Sequence, residues 1–249
     1  MPLARADLES LLRDRKLIPP ITFVQATDEY AVAPTAITAL DARLAGGFPR
    51  GQVSELVGPR SSGRTSMLMH MLAAATGRQE IVALVDVLDM LDVTSAEAAG
   101  IDLGRLLWIR GEMVINPGLC RETNERALDR AIKALTLVLQ AGNFGLVVFD
   151  AAEAPVHALQ RLPFTTWRRL QRIIEGSQTA CVLVGGAPIA RSAGGVSVIT
   201  RAGRAGGAGG APSPVKTKLF KGLDLEVDVV RPHARIHHDV RMPLSTTCA

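Results

Sequence analysis

The residues best suited to chemistry lie in one run, Gly58-Pro59-Arg60-Ser61-Ser62-Gly63-Arg64-Thr65-Ser66. Gly58 and Gly63 permit a tight turn in which successive backbone N–H groups point at a single anion. A helix starting at Arg64 adds its dipole to that site, and the Thr65 hydroxyl is placed to meet Mg²⁺. The common phosphate-loop pattern ends Gly-Lys-Ser/Thr, whereas here Arg64 stands in the lysine's place. Arginine keeps the charge and donates two hydrogen bonds to phosphate, but it is longer and planar. The run predicts a cradle for a nucleotide phosphate; the alternative is a loop that only turns the chain. A second element fits the first: Gly145-Leu146-Val147-Val148-Phe149-Asp150 is an aliphatic run closed by a carboxylate, a usual place for an acid that holds Mg²⁺ through water.

Positioning these residues requires strands and helices in alternation. Val53 to Val57 reads as a strand and Arg64 to Ala75 as a helix, so the glycine-bearing loop joins a strand to a helix. Ile81 to Asp86, Leu106 to Ile109, Leu146 to Phe149 and Cys181 to Val184 read as further strands. Their continuous apolar runs predict burial on both faces, hence a parallel sheet covered by helices. Before the fourth strand, Asn116 and Pro117 mark a helix start, and Leu128, Ile132, Leu135 and Leu139 form one apolar stripe. Glu122/Arg126 and Asp129/Lys133 are spaced as ion pairs on its wet side, and Gly142 as its stop. A further helix, Thr165 to Glu175, sets Trp167, Leu170, Ile173 and Ile174 against a basic face of Arg168, Arg169 and Arg172. That face suits DNA or a partner, with a solvated helix face as the alternative.

The termini read differently. Leu8, Leu11, Leu12 and Leu17 recur at helical spacing, and Ile18-Pro19-Pro20 ends that helix. Residues 203–214 are a Gly/Pro-rich low-complexity linker. Leu223, Leu225, Val227 and Val229 alternate with acids, as in a half-exposed strand at a sheet edge. Residues 201–249 hold eight Lys/Arg against four Asp/Glu, a difference equal to the +4 of the whole chain, so the basic excess sits in this tail. Lys216, Lys218, Lys221, Arg231 and Arg235 are its candidate contacts to DNA or an acidic partner.

Composition excludes several classes. Of 249 residues 47% are hydrophobic and only 4% aromatic, which provides for a full aliphatic core and argues against a disordered chain. No apolar run reaches the roughly 18 residues of a membrane helix, and no apolar stretch near Met1 suggests a secretory signal. Cys120, Cys181 and Cys248 have neither metal spacing nor a disulfide framework. A cytoplasmic protein is expected. His233, His237, His238 and Asp239 lack a cysteine at metal spacing and read as tail.

The stretch from Thr35 through Leu40-Asp41, Leu44, Gly46-Gly47, Pro49, Gly51, Glu55 and Gly58 to Gly63 resembles the core of the RecA recombinase family. Leu84-Val85-Asp86 through Asp92, and Ala99-Gly100-Ile101-Asp102-Leu103-Gly104-Arg105-Leu106-Leu107, continue the likeness, which covers roughly residues 35–200. Among RecA relatives the short length and Leu107-Trp108-Ile109-Arg110 are most similar to the ImuA family, accessory proteins of bacterial damage-induced mutagenesis associated with an error-prone polymerase. The resemblance implies an α/β fold: a RecA-like P-loop core with a central mostly parallel β-sheet flanked by helices. It implies residues 1–34 as N-terminal helix and linker, 35–202 as core, 203–214 as linker, and 215–249 as a basic arm with an edge strand. ATP and Mg²⁺ are the implied cofactors, with Asp92 matching the family's adenine-contacting acid.

Departures from the family pattern shape the expected activity. The recombinase glutamate that activates water after the second core strand is Leu88 here, with Asp89 displaced by one residue. A leucine can neither orient nor deprotonate water. The family's Asn-Gln nucleotide sensor corresponds to Gly185-Gly186. The segments matching its DNA-binding loops, near Ala152 to Pro163 and Pro188 to Ser197, are short. The expected function is an accessory or adaptor role in the SOS-type damage response and translesion synthesis. Such a protein binds the polymerase assembly or RecA recombinase, contacts DNA, and hydrolyses ATP weakly or not at all. The alternatives are a DNA-stimulated RecA-like ATPase and a cell-division inhibitor.

Overall fold

All five aliphatic runs form strands. The computed structural model describes residues 31–112, 121–190, 194–202, 223–230 and 240–244. In chain order its strands are β1 (Val32–Ala33), β2 (Phe48–Pro49), β3 (Val53–Val57), β4 (Val82–Asp86), β5 (Leu106–Arg110), β6 (Leu146–Asp150), β7 (Ala180–Gly185), β8 (Gly194–Ala202), β9 (Leu223–Val230) and β10 (Val240–Leu244). The helices are α1 (Thr38–Arg43), α2 (Arg64–Gly77), α3 (Val93–Ala98), α4 (Arg121–Ala141), α5 (Val156–Gln160) and α6 (Phe164–Ile174).

β1 and β2 form a small antiparallel pair, and the other eight strands form one sheet in the order β10-β9-β8-β3-β7-β6-β4-β5. From β8 to β5 every neighbouring pair is parallel, while β8/β9 and β9/β10 are antiparallel. The fold is therefore α/β with a mostly parallel central sheet flanked by helices. Strand residues alternate between two cores, as a pleated sheet requires. Ala83, Val85, Val147, Phe149, Cys181 and Leu183 pack with α4, α5 and α6. Leu84, Val148 and Val182 pack with α1, α2 and α3 on the other face. Trp167 of α6 meets Phe149 of β6 edge-on, ring centroids 6.2 Å apart. Burial pushes the Cys181 thiol up to about 12, leaving it a small hydrophobe.

Strand ends opposite the loop are tied by one arginine. Arg50 Nη1 donates to the carbonyls of Gly145 (2.9 Å) and Gln178 (2.8 Å), Nε to Val32 O, and Nη2 to Glu80.

Several sequence expectations change. The strand beginning at Leu223 lies second from the sheet margin, because Val240–Leu244 pairs with it antiparallel. Its Asp228 is buried and paired with Arg201 at 2.9 Å. β8 occupies part of the segment read as a shortened DNA-binding loop; its two leading glycines hide a strand, since glycine disfavours one. On α4 the apolar stripe is buried as expected. Arg126, however, donates to the Glu122 carbonyl rather than its carboxylate. Among the described residues the ion pair within this helix is Arg121–Glu125, which Arg161 joins, and its Arg130 pairs outward with Glu112. No ion pair links Asp129 to Lys133 among the described residues. The expected N-terminal helix, the Asn116-Pro117 helix start and the 203–214 linker lie outside the described residues. No helix among the described residues is long and apolar enough to cross a membrane.

Candidate nucleotide site

The loop between β3 and α2 has the backbone that anion binding needs. Ser61 and Gly63 have φ of +61° and +77°, turning the chain sharply before α2 begins at Arg64. Left-handed backbone is natural for glycine and strained for serine, a strain found at functional loops. Gly58 is required for another reason: a Cβ there would lie 2.1 Å from Thr200 Oγ1 and 2.5 Å from Ser62 Oγ. Its N–H donates to Gly185 O at 3.1 Å, which ties the loop's start to the end of β7.

Side-chain directions differ from what spacing suggests. Arg64 is buried; its Nη1 donates to the carbonyls of Gly58 and Gly185 (3.1 Å to the latter), and its Nη2 faces Glu153 Oε1 at 3.4 Å. Its Nε has no partner among the described residues. Ser62 is turned away too, its hydroxyl 2.8 Å from Thr200 Oγ1 of β8. Arg60 stands out in solvent, with Nε 2.8 Å from Glu153 Oε2. Pro59, Ser61, Thr65 and Ser66 line a cavity of about 310 Å³ with these arginines and Glu153.

A second cavity of about 230 Å³ adjoins it, sharing Thr65 and Glu153 and adding Asp86, Leu88 and Asp150. Asp86 and Asp150 are register partners at the ends of β4 and β6. Asp86 Oδ2 accepts from Leu91 N (2.9 Å) and Trp108 Nε1 (3.2 Å), but its buried Oδ1 has no partner among the described residues. Asp150 Oδ1 accepts from Ala152 N at 2.9 Å. Burial pushes the Asp150 carboxyl up to about 6, the Asp86 charge adding to it, while the Ala152 N–H and Arg64 pull the other way. Two desolvated carboxylates, one with an orphaned oxygen, beside an exposed threonine hydroxyl fit a divalent cation. The adjoining cavity, lined by the turn at Ser61 and Gly63 and by the start of α2, fits the phosphates that such a cation accompanies. The residues present thus fit ATP and Mg²⁺.

At the position where the family likeness leads one to expect a water-activating acid, the structure does not recover a carboxylate. Leu88 is buried in the core that includes Val87, Ala127 and Ala154. Asp89, with φ +58°, is turned to Arg110, whose Nε and Nη2 lie 2.8 Å from its two oxygens. The Arg110 hydrogen bond holds the Asp89 carboxyl below its usual range, and the same guanidinium lies 4.5 Å above the Trp108 ring. Asp92 caps α3, accepting from Ser95 N at 2.9 Å; hydrogen bonds from Ser95 lower its pKa.

The sequence pattern of the RecA N-terminal domain matches residues 23–159, more than half of the chain. The chain belongs to this family. It is 37% identical over 127 residues to protein RecA of Clavibacter michiganensis, a stretch covering 51% of this chain and 31% of that relative. It is 38% identical over 129 residues to protein RecA of Salinispora tropica, covering 51% and 33%. It is 36% identical over 126 residues to protein RecA of Symbiobacterium thermophilum, covering 50% and 32%. The chain thus spans about a third of the length of the curated relatives it matches. The RecA-family match contains the loop, Asp86, Leu88, Asp92, Asp150 and Glu153, and ends before α6.

On α6 the arginines take the expected positions. Arg168, Arg169 and Arg172 are exposed, and none makes an ion pair among the described residues. The Arg168 guanidinium lies 5.9 Å from the ring of Phe164, itself 43% exposed. Lys216, Lys218, Lys221, Arg231 and Arg235 lie outside the described residues. Sequence reading missed Glu153 and Thr200. Glu153 sits three residues past Asp150 with no motif around it, and Thr200 lies on the strand hidden by its glycines.

Proposed function

We propose that this RecA-family chain is a nucleotide-binding adaptor of the ImuA type. It joins an error-prone DNA polymerase assembly or a RecA recombinase in the SOS-type response to DNA damage and in translesion synthesis. Its ATP hydrolysis is weak or absent. The observation that carries this reading is the pairing of a preserved phosphate loop with a disabled water-activating position: Leu88 is in the core and Asp89 is bound by Arg110. A scaffold that binds nucleotide without turning it over suits a protein that reports or holds a state rather than one that cycles.

The N–H groups of Arg60, Ser61, Gly63, Arg64, Thr65 and Ser66 would hold the phosphates, Thr65 and Asp150 the Mg²⁺, and Asp92 would meet the base with the oxygen that does not cap α3. Bound Mg²⁺ supplies neutralisation of the phosphate charge. Arg168, Arg169 and Arg172 present cations beside the exposed Phe164 ring, a pairing suited to phosphates and a stacked base of single-stranded DNA. The basic residues 216–235 add charge for DNA or an acidic partner surface.

Capture of purified polymerase assembly or RecA by the full chain, with ATP turnover measured in parallel, tests the reading. Binding to at least one partner with little turnover is expected. Turnover near the usual enzyme rate of roughly 10 s⁻¹, stimulated by single-stranded DNA and lost in Asp150→Ala, would instead make the chain a working ATPase. One observation favours that second reading: Glu153 is a carboxylate at the junction of both cavities.

A further inference from the structure

A phosphate loop offers its cations to the anion it binds, yet both guanidiniums of this loop already share a carboxylate. Glu153 Oε2 accepts from Arg60 Nε at 2.8 Å and from Arg60 Nη2, while Oε1 faces Arg64 Nη2 at 3.4 Å. Glu153 comes from the segment between β6 and α5, its side chain is only 20% exposed, and it lines both cavities. It is an anion lodged at the mouth of an anion site.

In a phosphate loop the backbone N–H groups cradle the inner phosphates, and the long cation after the last glycine reaches the outer ones. Here that cation is Arg64, and two backbone carbonyls hold its Nη1 while Glu153 faces its Nη2. The N–H groups at the start of α2 are untouched by Glu153.

We infer that Glu153 takes the place of a nucleotide's terminal phosphate, so that the site accepts a nucleoside diphosphate in preference to a triphosphate. This inference rests on the nucleotide-binding reading above. A diphosphate fills the N–H cradle and leaves the Glu153 pairs intact. A triphosphate brings its outermost negative group against the Glu153 carboxylate, and must expel that side chain from two guanidiniums before it binds. Glu153 is thus a specificity-determining residue: it selects against the third phosphate by like charge rather than by size.

Calorimetric titration of the full chain with Mg²⁺-ADP and Mg²⁺-ATP, on the wild type, Glu153→Gln and Glu153→Ala, tests the inference. The wild type is expected to bind ADP about tenfold more tightly than ATP, a modest share of the repulsion between contacting like charges. In Glu153→Gln, ATP affinity is expected to rise by about tenfold while ADP affinity stays nearly constant, which also shows the variant to be folded. The wild-type ratio stands by itself if both variants fail to fold: equal affinities, or a preference for ATP, overturn the inference. ATP affinity unchanged in a folded Glu153→Gln overturns it too, with the nucleotide reading intact. Binding of neither nucleotide to any of the three proteins overturns both.

Discussion

Asp150 provides the sharpest physical test of the site, because a buried carboxylate with a raised pKa leaves a signature in stability before any ligand is added. Its ordinary value is 3.8 and its folded value about 6. The folded state therefore holds this proton more tightly than the unfolded state does. Its contribution to stability is fully present below pH 3.8, falls as pH rises, and is lost once pH passes about 6. The loss amounts to roughly 3 kcal/mol at pH 7.5 and about half of that at pH 5, at 1.36 kcal/mol per pKa unit. Asp150→Asn keeps an oxygen to accept from Ala152 N and removes the charge beside Asp86. Urea unfolding of wild type and variant in EDTA should show the variant more stable at pH 7.5, with its advantage shrinking by about 1.5 kcal/mol at pH 5. Adding Mg²⁺ at pH 7.5 should stabilise the wild type and leave the variant unchanged. Parallel pH profiles for the two proteins would refute the reasoning, because Asp150 would then titrate as a solvated carboxylate.

Other substitutions probe the positions around it. Arg64→Ala should lower stability by about 2–3 kcal/mol by urea unfolding, since it strips a charged donor from the Gly58 and Gly185 carbonyls; a loss confined to nucleotide affinity would contradict the clamp seen here. Glu55→Gln should cost roughly 1–3 kcal/mol, because the buried Glu55 carboxylate accepts from Ile189 N (2.7 Å), Ala190 N (2.5 Å) and Ser197 Oγ (3.0 Å). Hydrogen exchange should then speed up at Ile189 and Ala190, and unchanged protection there would count against that role. Asp89→Asn should leave any ATP turnover unaltered and cost less than about 1 kcal/mol, since its partner Arg110 is exposed. A fall in turnover would show Asp89 acting on water despite its orientation.

The loop's nature and the sheet's parallel core were legible in the chain because both are local signals. Gly58 and Gly63 between an aliphatic run and a helical one announce a strand-loop-helix unit wherever the rest of the chain goes. Likewise, Leu146 to Phe149 reads as a doubly buried strand without its neighbours. The loss of a carboxylate at Leu88 is also a fact of the sequence once the family likeness is drawn.

What tertiary structure alone decided is where side chains point and which distant residues they meet. Arg64 and Asp89 have the right chemistry for a phosphate ligand and a general base, yet one is clamped to carbonyls 6 and 121 positions away and the other to an arginine 21 positions away. Glu153 bears no local mark of its place, and reaches the loop only because β6 and β3 end on the same side of one sheet. β9 reads as an edge from its own alternation and loses that position only through pairing with β10. Periodicity describes the face of an element, whereas the partners of that face are set by sheet order, which joins residues far apart in the chain.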